Sequence, residues 1–167
     1  TTHPDFNGIV DDTIELRNQY FPEAKITVLS NSTMLTNKDV VQALLKVDKN
    51  ILKLDAGTEA MYRAINNPRI DVNLKDILEL LGQFKKGLII QTLFLKGEAH
   101  GIHIDNTTDE EVSLWIEHLR MLKPEAVMIY PIARATPAED LIKIEREKLM
   151  EIASKVEALG IETEVYD

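Results

Sequence analysis

No cysteine occurs among the 167 residues, so the chain by itself can form no disulfide, offer no thiolate nucleophile and ligate neither zinc nor an iron–sulfur cluster through sulfur. No apolar run approaches the roughly 20 residues that a membrane helix needs; residues 87–94 form one of the longest. Glycine and proline are sparse, at 7 and 6, which excludes collagen-like and low-complexity chains. Basic residues are in the minority, 19 against 28 acidic ones, and the formal charge of -9 repels phosphate backbones and anionic lipid. Non-specific nucleic-acid binding is therefore disfavoured, although a local basic patch is not excluded. No secretory pattern is visible, and the expected location is the cytoplasm. The first residues, Thr1-Thr2-His3-Pro4, lack an initiator Met and read as the start of an excised piece.

What is present is an ordinary globular composition, 44% hydrophobic and 28% charged. A chain of this length buries roughly 70% of its unfolded surface, enough for one core, and no linker divides it. The expected organisation is a single α/β domain over residues 1–167. Apolar spacing predicts helices over residues 11–20, 36–47, 58–66 and 74–84, a fifth from about residue 107 carrying Val112, Trp115, Ile116 and Leu119 on one stripe, and a sixth over 145–159. Between them lie β-rich runs at 25–29, 51–55, 88–95, 126–130 and 161–166. Five strands alternating with helices require crossover connections. The result is a mainly parallel sheet, either open and doubly wound or curled toward a barrel.

In both architectures ligands bind beyond the carboxyl ends of the strands. Those ends are polar here: Ser30 and Asn31, Lys53 and Asp55, Gln91, Tyr130 followed by Arg134, and a Lys96 expected to be mobile. Lys53 and Asp55 are two apart in a strand and share a face. Burying both charges costs several kcal/mol per ion unless they are paired or meet a ligand. A ligand site explains them, as does a purely internal ion pair or an Asp55 that caps the helix beginning near Thr58. Ser30 and Asn31 suit a ribose or carboxylate but are equally ordinary turn residues. Gln91 lies amid Ile, Leu and Phe and needs a partner in a neighbouring strand or a ligand. Tyr130 offers an aromatic wall, and Arg134 a guanidinium for a carboxylate or phosphate. His100, His103 and Asp105, with Glu98, are metal-ligand types. They fall in a segment expected to be a solvated loop, and no metal site is assigned to them. No Ser-His-Asp order and no phosphate loop occurs, and no catalytic residue is assigned.

The run Lys53-Leu54-Asp55-Ala56-Gly57-Thr58-Glu59 followed by Tyr62-Arg63-Ala64-Ile65-Asn66 resembles a stretch of radical S-adenosylmethionine (SAM) proteins. In particular it resembles iron–sulfur oxidoreductases related to wybutosine-synthesising enzymes. Leu29-Ser30-Asn31-Ser32 resembles a Thr-Asn-Gly strand end, with Ser32 in place of Gly. Arg134 with Pro137-Ala138-Glu139 resembles an Arg-Pro-Pro-Ala-Glu segment with one residue inserted, and Thr1 to Asp5 resembles the tail of a Gly-Glu-Pro-Thr-x-His-Pro motif. The resemblance covers nearly the whole chain. It implies the later units of a partial (β/α)6 TIM-like barrel that lacks its N-terminal strands.

By the same resemblance, the cofactors of the full-length protein are SAM and a [4Fe–4S] cluster held by an upstream Cys-x-x-x-Cys-x-x-Cys. The implied chemistry is reductive cleavage of SAM to a 5′-deoxyadenosyl radical that abstracts hydrogen from a substrate. The cluster would not be bound by this cysteine-free chain, which is expected to be inactive alone. Ser30, Asn31, Lys53 and Asp55 fall where the family contacts the ribose and methionine of SAM, Gln91 and Tyr130 near the adenine or substrate side, and Arg134 near the substrate mouth. Missing strands would leave the edge at residues 25–29 open to a second copy, hence a homodimer. The alternatives are a non-catalytic α/β module that binds a nucleotide or anion, and an interaction domain in which Lys53 and Asp55 only pair with each other.

Overall fold

The computed structural model describes residues 1–68, 71–99, 101–134 and 140–167. Asp5 opens the first helix, α1 (Phe6–Tyr20), by accepting from the Gly8 amide at 3.2 Å. That cap lies ahead of the apolar residues that betray the helix, so α1 begins earlier than its hydrophobic spacing predicts. The chain continues through β1 (Thr27–Ser30), a 3₁₀ turn over Thr33–Thr36, α2 (Lys38–Leu44), β2 (Lys49–Lys53), α3 (Glu59–Asn66), α4 (Leu74–Leu81) and β3 (Leu88–Leu93). Thr58 caps α3, and Asn73 with Asp76 forms a reciprocal capping box on α4. Next come β4 (Leu95–Ala99), β5 (Ile102–Asp105), α5 (Asp109–Leu122), β6 (Ala126–Tyr130), β7 (Leu141–Lys143), α6 (Arg146–Glu157) and β8 (Glu162–Val165).

The main sheet is parallel throughout, in the order β1-β2-β3-β6-β8. Its strands lie side by side in chain order. Right-handed crossovers then put every helix on the same face, and burial agrees. Leu52, Leu54, Leu88, Ile90, Val127 and Ile129 are 0–2% exposed and pack with Leu44, Leu81, Trp115, Leu119, Leu149 and Ile152 from the helices. On the opposite face Ile51, Lys53, Gln91, Leu93, Met128 and Tyr130 are only partly buried, and Leu29 is 62% exposed. A doubly wound sheet would cover both faces, whereas this one is the wall of a barrel with its inner face bare.

A second, three-stranded antiparallel sheet, β5-β4-β7, stands at the carboxyl end of the first. It overturns two expectations. The run 88–95 does not continue as one strand: it ends at Leu93, and Phe94, buried under the Trp115 ring with centroids 5.3 Å apart, turns the chain into β4. Lys96, expected to be mobile, sits in β4 between Asp105 of β5 and Ile142 of β7. The segment expected to be a loop over 100–105 is instead largely β5. Gly97 makes the close pass possible: at φ 128° it brings its backbone so near Asp140 that a Cβ would stand 2.0 Å from the carbonyl oxygen.

Candidate functional site

β2 delivers Lys53 to the carboxyl end of the bare face, and the chain stays extended long enough to place Asp55 beside it. The Lys53 ammonium lies 2.7 Å from Asp55 Oδ2. The Asp55 side chain is fully buried while that of Lys53 keeps 23% exposure, so the pair is a buried anion reached by a cation from the open side. Asp55 Oδ1 accepts from the Leu93 amide at 2.9 Å. Among the described residues Oδ2 meets only the Lys53 ammonium and takes no backbone or hydroxyl donor. Burial pushes the Asp55 carboxyl above its usual range, and the Lys53 charge only partly offsets this. Asp55 therefore does not cap α3; Thr58 does.

Gln91 is the cross-strand neighbour of Lys53, and Met128 is that of Gln91. Tyr130 closes the row beside Leu93. Its phenol is pushed up to about 12, by burial first and by the negative charge of Asp55 second. Lys53, Asp55, Gln91 and Tyr130 are thus brought to one face. Asn31 joins from the end of β1 by lining a small cavity with Lys53, Asp55, Tyr62 and Asn66. Its own amide oxygen is engaged locally, accepting from the Thr33 amide and hydroxyl. Ser30 stands in register with Leu52 and so faces the helices, where its hydroxyl accepts from Ser32 N. Arg134 is exposed beyond the end of β6.

Ser32 adopts φ 68°, the left-handed conformation that glycine takes most readily. The resembled motif carries glycine at that position. The hydroxyl of Ser32 donates to Lys53 O at 2.9 Å, tying the β1 end to the β2 end.

His103 is exposed and faces Glu98 across β4 and β5. Asp105 is spent on the Thr107 amide and hydroxyl, at 2.9 and 2.6 Å. His100 and the residues Pro137-Ala138-Glu139 lie outside the described residues. Among the described residues no three His, Asp or Glu side chains gather as a metal would require.

Several residues of the site's frame escape a linear reading. Tyr62, buried at 5% exposure, has a hydroxyl with no partner among the described residues and borders the same cavity as Asp55. Asn106 donates to Asp55 O and Leu93 O, both at 2.8 Å, and accepts from the Leu95 amide. Glu111, only 6% exposed, accepts from the amides of Gly57 and Thr58 at 2.8 and 3.2 Å and from the Thr58 hydroxyl. The available signal was a polar pair, Glu111 and His118, flanking Trp115 at helical spacing within an otherwise apolar stripe. His118 is half-buried, with its Nε2 2.8 Å from Gly57 O.

No protein-family model matches the chain. UPF0026 protein MJ1312 of Methanocaldococcus jannaschii is 29% identical over 138 residues, which cover 80% of this chain and 40% of that protein. The chain thus spans about two fifths of the length of the curated relative it matches. Among solved structures, a radical SAM methyltransferase from Sphaerobacter thermophilus superposes with a TM-score of 0.62 at 18% identity, over 84% of this chain and 40% of that one. A domain of pyruvate-formate lyase-activating enzyme from Bacteroides vulgatus superposes with a TM-score of 0.66 at 14% identity, over 99% and 96% of the two chains. The fold is that of these proteins.

Proposed function

We propose that this chain is the later part of the barrel of a radical SAM enzyme, an oxidoreductase in its full-length form, and that the bare face of its sheet receives SAM. One observation carries the proposal: at the carboxyl end of a parallel sheet a fully buried carboxylate, Asp55, has its Oδ2 matched among the described residues only by a half-open ammonium, Lys53. A buried carboxylate beside a partly exposed cation suits a ligand that carries both amine or hydroxyl donors and a carboxylate. The fold shared with the radical SAM methyltransferase and the activating-enzyme domain and the Lys53 to Glu59 resemblance point the same way.

The two groups of that chemistry fit this chain unequally. An iron–sulfur cluster does not fit, since the 167 residues contain no cysteine, and its thiolates are assigned to sequence outside them. SAM fits the polar set: Lys53 for the carboxylate, Asp55 for an amine or ribose hydroxyl, and Asn31 and Gln91 for further polar edges. When bound with its cluster, SAM supplies a reductively generated carbon radical for hydrogen abstraction. The chain's own part is to hold and orient. Tyr130 keeps its proton through the physiological range and so offers a donor to a bound ligand. Leu93 and Met128 exclude water between the polar groups, and Arg134 waits at the mouth for an anionic part of the substrate. Alone, the chain is expected to be inactive. A cytoplasmic location suits an oxygen-sensitive cluster. Leu29, 62% exposed on the edge strand β1, favours pairing with a second copy; light scattering showing only monomer at high concentration counts against that dimer.

The absence of cysteine favours a second reading, a module that binds SAM or a nucleotide without turnover. One experiment separates the two. The complete reading frame is expressed anaerobically, reconstituted with iron and sulfide, reduced and supplied with SAM. Release of 5′-deoxyadenosine supports the enzyme; a folded protein that binds SAM but forms no cluster and no product supports the module.

A further inference from the structure

Three residues of α5 grip the backbone that follows β2. Glu111, Trp115 and His118 stand four and three positions apart and so lie on one stripe of the helix. The Trp115 indole donates to Leu54 O at 3.2 Å. The Glu111 carboxylate takes the Gly57 and Thr58 amides and the Thr58 hydroxyl, and His118 meets Gly57 O. No space separates the two segments. A Cβ on Gly57 would stand 2.3 Å from Glu111 O and 2.9 Å from both Leu114 Cβ and Trp115 N.

The arrangement exceeds what capping α3 requires, since Thr58 already performs that by accepting from the Met61 amide. Glu111 is also an uncommon occupant of its place, a carboxylate 6% exposed in a helix stripe that otherwise feeds the core. Burying such a group is costly unless its acceptor capacity is filled, and the partners that fill it all belong to one turn, the turn that begins two residues after Asp55.

Resting on the proposed SAM site, we infer that Glu111 is a positioning residue: through the Gly57–Thr58 turn it fixes Asp55 against Leu93 and so keeps the Asp55 carboxyl buried. Asp55 is then held from both sides, by Leu93 N of β3 and Asn106 just after β5 and by α5 through the turn. Glu111 does not touch the ligand, so its loss should loosen the grip on the ligand beyond any general loss of stability.

The test compares Glu111→Gln with Leu149→Ala, a core truncation in α6 at a fully buried residue remote from the turn. Glutamine keeps the shape but presents an N–H to donors that need an acceptor. In the reconstituted full reading frame, Glu111→Gln is expected to weaken SAM binding about tenfold, the size of effect seen when a supporting partner behind a ligand-binding group is lost. Leu149→Ala should lower the melting temperature at least as much and leave SAM affinity unchanged. Equal weakening by both variants overturns the positioning role. Thr58→Val, which removes one of the three donors, serves if Glu111→Gln does not fold, and is expected to weaken binding in the same sense.

A second readout needs no ligand. Carbon-13 NMR titration of the Asp55 carboxyl in the chain itself should move down toward the ordinary aspartate range in Glu111→Gln and stay in place in Leu149→Ala. An unmoved Asp55 titration in Glu111→Gln overturns the inference. Failure of the wild-type protein to bind SAM would instead overturn the proposed function, and the titration would still decide whether Glu111 positions Asp55.

Discussion

Replacing Lys53 with Met removes the cation from a fully buried carboxylate and leaves the packing nearly intact. Two outcomes are open to Asp55: it stays charged without compensation, or it takes up a proton. The second sets a ceiling. Each unit between the pH and the ordinary aspartate value of about 3.9 is worth about 1.4 kcal/mol, so carrying a protonated Asp55 costs about 4 kcal/mol at pH 7 and about 1.5 kcal/mol at pH 5. Breaking a buried pair by removing one partner costs about 3–5 kcal/mol, and the 23% exposure of Lys53 places this case at the low end, about 3 kcal/mol at pH 7. The sign follows from the direction of the shift. Burial raises the carboxyl in the folded state, so the folded form binds more protons than the unfolded one above the ordinary range. Stability therefore falls as pH rises through that window and returns as pH drops. Urea denaturation at pH 7 and pH 5 measures both values. A loss under 1 kcal/mol at pH 7, or an equal loss at both pH values, refutes the account of Asp55 as a desolvated anion held by Lys53.

Gly57→Ala forces a methyl group to within 2.3 Å of Glu111 O; overpacking of this kind costs about 1–3 kcal/mol, and a thermal melt should show the loss. The ultraviolet titration of the tyrosines should contain a phenol ionising near 12, displaced there by burial and by Asp55; Tyr130→Phe removes that step and Asp55→Asn moves it down. Asp48 accepts from the Ile26 amide and from Arg17, both at 2.8 Å, and these hold its carboxyl below the usual range. Its contribution is present above the ordinary carboxylate value and lost as pH falls through the lowered one. Asp48→Asn should flatten the acid limb of the stability curve, measured by urea titrations between pH 6 and pH 3; an unchanged limb refutes it.

Alternation and strand ends were the legible parts. The five parallel strands were visible because strands buried on the helix side are rich in Leu, Ile and Val, as at Leu88 to Ile90 and Ala126 to Ile129, and because strong caps such as Thr108 separate them. The antiparallel sheet was hidden. β4 contains Lys96, Gly97 and Glu98, β7 is three residues long, and the partners lie far apart along the chain, so no local pattern announced them. Alternation alone left an open sheet and a barrel wall undecided, because strand order is decided by pairing at a distance; the barrel was implied by the resemblance of the Lys53 to Glu59 run.

The site divides along the same line. Lys53, Asp55, Gln91 and Tyr130 were singled out by asking which polar residues lie in or just beyond strands and share a face, and the register sets Lys53 beside Gln91 and Leu93 beside Tyr130. Ser30 follows the same alternation to the opposite face, since its partner is Leu52. Glu111, Asn106 and Tyr62 were not found, because each serves the site from another element: Glu111 reaches back 54 residues to Gly57 and Asn106 reaches back 51 to Asp55. A spacing rule detects groups that share an element, and these do not.

Stability alone cannot tell a ligand site from an internal ion pair at Lys53 and Asp55. Replacing both with apolar residues of similar size removes two desolvation penalties together with one attraction, and such exchanges are commonly neutral or stabilising. A Lys53→Met, Asp55→Leu double variant should accordingly recover the stability lost by Lys53→Met, whichever role the pair has. The distinction lies in what reaches the pair from the open side, where Lys53 keeps 23% exposure. A pair that served only the fold would lose nothing further on replacement, whereas a receiving site loses its ligand. Retention of SAM affinity in the double variant of the reconstituted full reading frame would assign Lys53 and Asp55 to the fold and move the search for the site along the bare face, toward Gln91 and Tyr130.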